Sequence, residues 1–281
     1  MQTEFYEKDK GSAQIQGHIF EYKCCALIFL RIKNIGYKFK IASNVKGLTP
    51  LDDVIVEYLN DNSRKKHIFL QLKSRARQSI TMSQLKSKDG DFSLRKYYES
   101  YIKIEEKFNC SEERDKLEGS IDESLFILYT NADVGENLKS NIVKDNVEEE
   151  FLMTGSSVLQ FNEEEHKDIY EYLKELPKHR EFLRTFRIFY RQANEKEMDR
   201  PIKRELKKIM RLPENMLDIA YTCFIDIMKE WWELKNFFLK DTNSREKDPL
   251  QKTSEKLKNI INRIRGNPNL TNSVLNTKSP Q

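Results

Sequence analysis

Asp53, Gln71 and Lys73 are the residues of this chain whose types and spacing best suit metal-assisted chemistry. Gln71 and Lys73 stand two apart in the segment IFLQLK, and side chains two apart on a strand share a face. Asp53 opens a second β-branched segment, DVIVEYL, a short polar stretch earlier. If the two segments pair as an antiparallel hairpin, these side chains project from one edge of a sheet. A carboxylate and an amide oxygen are hard ligands suited to Mg²⁺ (or Mn²⁺), which binds few protein groups and keeps several waters. An ammonium beside such an ion could orient a water or stabilise charge on a phosphate. Glu21, on the segment GHIFEYKCCALIFLRIKN, supplies a further acid. Asp52 rivals Asp53, because alternation sends only one of the two toward the site and leaves the phase open. A blander reading stands beside this one: a half-exposed strand also alternates polar and apolar residues, and paired Asp residues often mark the start of a strand.

The elements that must position these residues follow from periodicity. Residues 17–34 carry apolar side chains at helical spacing and stop at Gly36. Residues 37–44 alternate and read as a strand, and Leu48–Leu51 is a turn with Pro50. Asp53–Leu59 and Ile68–Lys73 are the two strands, joined by a polar loop at Asn60–Lys66 in which Asp61 and Asn62 form the turn. On the second strand Leu70 and Leu72 take the buried face, leaving Gln71 and Lys73 on the polar one. Ser93–Phe108 is an aromatic-rich helix capped by Ser93, and Ser124–Thr130 is a fully apolar, central strand. A short strand at Ser157–Phe161, a helix at Glu164–Leu176 and a strand at Phe182–Tyr190 complete an α/β domain over residues 1–195. Helical patterns follow at Glu195–Met210, Pro213–Leu239 and Ser254–Arg265, so residues 196–265 read as a helical extension. The Asn, Ser, Thr and Pro-rich stretch 266–281 reads as a disordered tail or linker.

Composition excludes several classes. The 38% hydrophobic and 33% charged residues fit a packed core with a heavily charged surface. Cys24, Cys25, Cys110 and Cys223 follow neither a disulfide framework nor a zinc spacing, and read as reduced thiols. Residues 1–10 are not a signal peptide, and the apolar run Ala26–Leu30 falls short of the ~20 residues of a membrane span. The reading is an intracellular protein, cytoplasmic or nuclear, with no membrane partner. No G-x-S-x-G elbow, Walker loop or dinucleotide fingerprint occurs. His18 reads as a helix-start residue and not as the partner of Glu21 in an acid–base pair. Trp231 and Trp232 read as packing a helix onto a core.

The net charge is only +4, but it is unevenly spread. Between Arg64 and Lys96 the basic residues, among them Arg75, Arg77, Lys86, Arg95 and Lys96, are opposed only by Asp89 and Asp91. Such a run suits phosphate contacts that carry affinity without sequence preference; a solvated loop would look the same.

The order helix with Glu21, strand, strand opened by Asp53, strand with Gln71 and Lys73, helix, strand resembles the PD-(D/E)xK nuclease core. The segments GHIFEYKCCALIFLRIKN, YKFKIASN, LDDVIVEY, IFLQLKS, GDFSLRKYYESY and LFILYTN resemble the nuclease domain of CD-NTase-associated endonucleases of bacterial antiphage systems. They are also similar to the N-terminal domain of large insect proteins. The likeness covers roughly residues 14–132, with a weaker echo at FRIFYRQANEKEMD. It implies a restriction-endonuclease-like fold, a mixed central sheet flanked by helices. It also implies Mg²⁺-dependent hydrolysis of DNA with little sequence specificity, as an effector module of a defence-type or multidomain protein. Asp53 becomes the main metal ligand, Gln71 the second, Glu21 a metal-shell or orienting acid, and Lys73 the phosphate-contacting or base-side lysine. Gln at position 71, in place of Asp or Glu, is a familiar variant within that superfamily; it removes a negative charge from the site and lowers the expected metal affinity. Two other readings stay open: a nuclease-fold module that binds nucleic acid without cutting it, and an interaction protein that forms homo-oligomers or larger assemblies through its C-terminal helices.

Overall fold

The computed structural model describes residues 11–45, 48, 50–60, 64–76, 78–110, 117–141, 150–155, 157–233, 238–240 and 249–265. Arg77, the turn residues Asp61 and Asn62, and the tail 266–281 lie outside the described residues.

Helix α1 (Gly11–Ile35) leads into strand β1 (Phe39–Ala42), and Gly36 makes the exit with φ +89°, a backbone conformation that glycine adopts without a Cβ clash. Strands β2 (Val54–Leu59) and β3 (Lys65–Lys73) form the expected antiparallel hairpin, paired from Val54↔Leu70 to Leu59↔Lys65. The loop is therefore shorter than 60–66, because Lys65 and Lys66 already belong to β3. Strand β4 (Ser79–Ile80) and a single turn of helix, α2 (Met82–Leu85), precede α3 (Leu94–Phe108), and β4 forms a small parallel ladder with β6 (Asp133–Val134), which comes later in the chain. Ser93 caps α3 as expected, its hydroxyl accepting from Lys96 N. Strand β5 (Ser124–Thr130) runs parallel to β3, and β7 (Val158–Gln160) lies antiparallel to β8 (Phe186–Phe189). Helices α4 (Lys167–Leu173) and α5 (His179–Thr185) separate β7 from β8.

Two expectations fail here. The run 182–190 is not one strand: Phe182–Thr185 closes α5, and only Phe186–Phe189 extends. Apolar residues at 182, 183 and 186 satisfy helical spacing as well as alternation, and burial in the layer beneath α3 favours the helix. Nor is 213–239 one helix. Helix α7 (Glu214–Glu233) ends first, and Phe238–Lys240 is β9, antiparallel to β1.

The result is a mixed sheet of seven strands, ordered β7-β8-β5-β3-β2-β1-β9, with helices on both faces. On one face Val54, Val56, Ile68, Leu70 and Leu72 pack against α1 and, through it, against helices α6 (Asp199–Met210) and α7. Covered on both sides, α1 buries Phe20, Cys24, Cys25, Leu27, Ile28, Phe29 and Leu30, which explains why it is apolar nearly all round. Met198, Ile202, Leu206, Phe224, Trp231 and Trp232 belong to this same core, so the helices after residue 195 share it with the sheet. The final helix α8 (Pro249–Arg265) packs on α7. On the other face Phe69, Phe126, Leu128 and Phe186 meet Tyr97, Tyr101 and Ile104 of α3 and Phe182 of α5. Among the described residues, no helix is long and apolar enough to cross a membrane.

Candidate functional site

The β2–β3 register fixes the site. Continued one step beyond Val54↔Leu70, it sets Asp53 against Gln71 at the end of the sheet where the parallel strands β3 and β5 also finish. Asp53 Oδ2 accepts a hydrogen bond from Leu72 N at 2.8 Å and another from Gln71 Nε2. This settles the phase between the paired acids. Asp53 faces Gln71, while Asp52 lies beside it, buried, with its backbone oxygen accepting from Asn44 N.

Gln71 is only 3% exposed, which corrects the expected half-exposed polar face. Strand β3 is buried on both faces, because α3 covers the side that α1 does not. A buried amide against a partly buried carboxylate costs desolvation that no ordinary strand position requires. Lys73, one step along the same face, is partly exposed and opens the site to solvent.

Glu21 reaches the same place from α1. Its charge raises Asp53, and it feels Lys73 and Asp52 in turn. Burial pushes Asp53 up to about 7. Glu21 adds to the rise, and the Leu72 N–H and the Lys73 ammonium only partly hold it down. Glu21 is raised too, chiefly by burial, despite His18 and Lys73 pulling the other way. Burial also raises Asp52, against its own backbone N–H and Lys73. The Lys73 ammonium thus pulls against burial at each of the three acids. His18 lies inside α1 rather than at its start, and its Nδ1 meets Glu21 Oε2 at 3.3 Å, so the two do pair.

The basic residues divide. Arg75 stays at the site, and its Nε and Nη2 donate to Asp91 Oδ2 at 2.8 and 2.5 Å. Lys73 Nζ stands 3.8 Å from Asp91 Oδ1. Lys86 turns instead to Asp168, 4.0 Å away, and Arg95 to Glu99 of its own helix at 3.7 Å. Lys96 lies in the first turn of α3, half-buried, with its backbone N–H spent on the Ser93 cap. Asp91 and Tyr97 are the residues that sequence reasoning missed. Tyr97 is buried on α3, close enough for Asp91 and Asp53 to raise its hydroxyl further beyond what burial does. The signal for Asp91 was there, as one of two acids within a long basic run.

Asp53, Glu21 and the Gln71 amide oxygen form a hard-oxygen set of the kind Mg²⁺ or Mn²⁺ takes when water completes the shell. Turning the Gln71 amide by half a turn presents its oxygen where the nitrogen now meets Asp53. Among the described residues there is no group of three or more His, Cys, Asp or Glu side chains placed to hold a metal ion. The set therefore depends on the amide. Neither the family models nor the curated proteins with which the sequence was compared match this chain.

Proposed function

We propose that the chain is a nuclease of the PD-(D/E)xK type that hydrolyses DNA phosphodiester bonds with little sequence preference. The observation that carries this reading is the meeting of Asp53, Gln71 and Lys73 at one end of the central strands, with Glu21 beside them from α1. Asp53, Gln71 and Glu21 would hold Mg²⁺ or Mn²⁺. When bound, such an ion supplies a polarised phosphoryl oxygen and a water acidic enough to attack near neutral pH. The Lys73 ammonium donates to a non-bridging phosphate oxygen and carries charge that develops there. In the metal-free chain burial and Glu21 raise Asp53 to about 7, so to hold an ion the carboxyl gives up a proton that it otherwise carries near neutral pH. Before an ion is held, the Gln71 amide N–H orients Asp53 without adding a charge; with the amide turned, its oxygen would face the ion.

A second reading keeps the fold and drops the cleavage, leaving a nucleic-acid-binding module. What favours it is the lack of a three-acid cluster among the described residues, with Gln71 where a third acid would complete one. The full chain, incubated with plasmid DNA and Mg²⁺ or Mn²⁺, decides between them. Nicking that Lys73→Ala abolishes, with the circular dichroism spectrum unchanged, supports the nuclease. Binding without cleavage under either metal transfers the assignment to the module.

A further inference from the structure

The contact between Asp91 and the two cations at the end of β3 has the form of an anion site already filled. Arg75 gives both Nε and Nη2 to Asp91 Oδ2, and Lys73 stands 3.8 Å from Oδ1. A phosphodiester presents the same pattern, two oxygens of shared negative charge, and two guanidinium N–H groups that converge on one carboxylate oxygen can converge on one phosphate oxygen in the same way. Asp91 is held in place by its loop. Gly90 turns at φ +115°. Ser87 Oγ donates to Asp89 O at 2.6 Å, and Ser93 Oγ donates to Ser87 O at 2.7 Å. The Tyr97 hydroxyl donates to Asp91 O. Arg75 is fixed from the other side, its backbone N–H on Asn131 Oδ1 and its Nη1 on Ser74 O at 2.9 Å. Both partners remain partly open, with side chains 41% exposed for Arg75 and 33% for Asp91. A ligand can therefore reach the pair.

We propose that Asp91 is an internal counter-anion that occupies Arg75 and Lys73 and so withholds Arg75 from the phosphates of a bound nucleic acid. The proposal rests on the reading that this end of the sheet meets nucleic acid, and it deepens that reading by naming how the affinity of the site is held down. Asp91 is a positioning residue in this account. It acts through Arg75 and touches no reacting atom.

The test is the salt dependence of binding of the full chain to a short DNA duplex, measured by fluorescence anisotropy in EDTA, with cleavage in Mg²⁺ followed in parallel. Asp91→Asn keeps an oxygen acceptor for Arg75 but removes the charge. It should steepen the log K against log salt line by ~0.9, one phosphate contact, and tighten binding about tenfold at low salt. Arg75→Ala should leave the wild-type slope unchanged, because Arg75 is silent there, yet should return the Asp91→Asn slope to the wild-type value. Asp91→Glu, which retains the charge, should keep the wild-type slope. A purely structural Asp91 would not move the slope. An Asp91→Asn protein with wild-type slope and affinity overturns the proposal. So does an Arg75→Ala protein whose slope is shallower than wild type by one phosphate, and this second arm decides if Asp91→Asn does not fold. A wild-type chain that does not bind DNA sinks both readings. Binding with the expected slopes but no cleavage sinks the nuclease and leaves the Asp91 assignment standing, whereas cleavage with an unchanged Asp91→Asn slope does the reverse.

Discussion

Asp53→Asn should make the protein more stable above neutral pH. Burial and the Glu21 charge raise Asp53 from 3.8 to about 7. A carboxyl with a raised value binds its proton more tightly folded than unfolded. Its favourable contribution is therefore complete below about pH 4 and is lost as the pH climbs through about 7. The shift is about three pH units, each worth ~1.4 kcal/mol, which sets a ceiling of ~4 kcal/mol on the cost of ionising Asp53 in the folded state. Asn keeps the acceptor for Leu72 N and, once the Gln71 amide turns, a hydrogen bond to Gln71 as well. The gain at about pH 8 should then be roughly 2–4 kcal/mol, or a rise in melting temperature of about 5–15 °C for a chain of this size. Near pH 4 the two proteins should melt together. Urea unfolding followed by circular dichroism across that range measures the difference, and subtraction of the two proteins cancels every group that does not feel Asp53, leaving Asp53 and the coupled Glu21 and Asp52. Mg²⁺ adds a second axis. It should stabilise the wild type by ~2.7 kcal/mol at a hundred times its dissociation constant, and stabilise Asp53→Asn much less. Parallel stability curves for the two proteins from pH 4 to pH 8 would refute the reasoning, since they would mean that Asp53 ionises at no cost.

Three further outcomes concern Glu57, the core between α1 and α7, and Gln71. Glu57 is lowered to about 2, first by His67, whose Nε2 stands 3.5 Å from its Oε2, and then, against desolvation, by Lys40 and Lys65. Its contribution is present above its ordinary 4.5 and is lost as pH falls through about 2, so Glu57→Gln should cost about 1–2 kcal/mol at neutral pH after discounting for its partial exposure, and nothing in strong acid. Phe224→Ala empties a fully buried position stacked on Phe29 and should cost roughly 3–5 kcal/mol in urea unfolding. Gln71→Glu sets a new charge against Asp53 in a buried site. It should destabilise the metal-free protein, tighten Mg²⁺ binding in calorimetry and raise cleavage, and a variant that neither loses stability nor gains metal affinity would remove Gln71 from the ligand set.

The convergence of Asp53, Gln71 and Lys73 was legible because it depends on local rules: alternation along β3 and a short polar loop to β2 leave little choice of register. What was not legible depends on distant packing. The six residues 54–59 and the nine residues 65–73 do not reveal that α3 will lie across their second face, so the burial of Gln71 appears only once Tyr97, Tyr101 and Ile104 are in place. Asp91 is hidden for a related reason. Its meeting with Arg75 spans a loop whose path is set by the Ser93 cap and the Tyr97 hydroxyl rather than by any spacing between the two residues. The aromatic run at 182–190 and the return of the chain to the sheet at 238–240 were misread because short apolar segments satisfy both periods until their neighbours choose. Helix α3 links these misses to function. It lies over the face of the sheet on which Gln71 is buried, and through Tyr97 it anchors the loop that carries Asp91, so the element with the weakest claim on sequence-level chemistry holds the counter-charge of the cations in place. A change on its buried face, such as Tyr97→Phe, removes the hydroxyl that ties Asp91 O while keeping the ring in the core. It should therefore shift the salt slope of DNA binding toward that of Asp91→Asn with only a small loss of stability. An unchanged slope would mean that the Asp91 loop holds its place without α3.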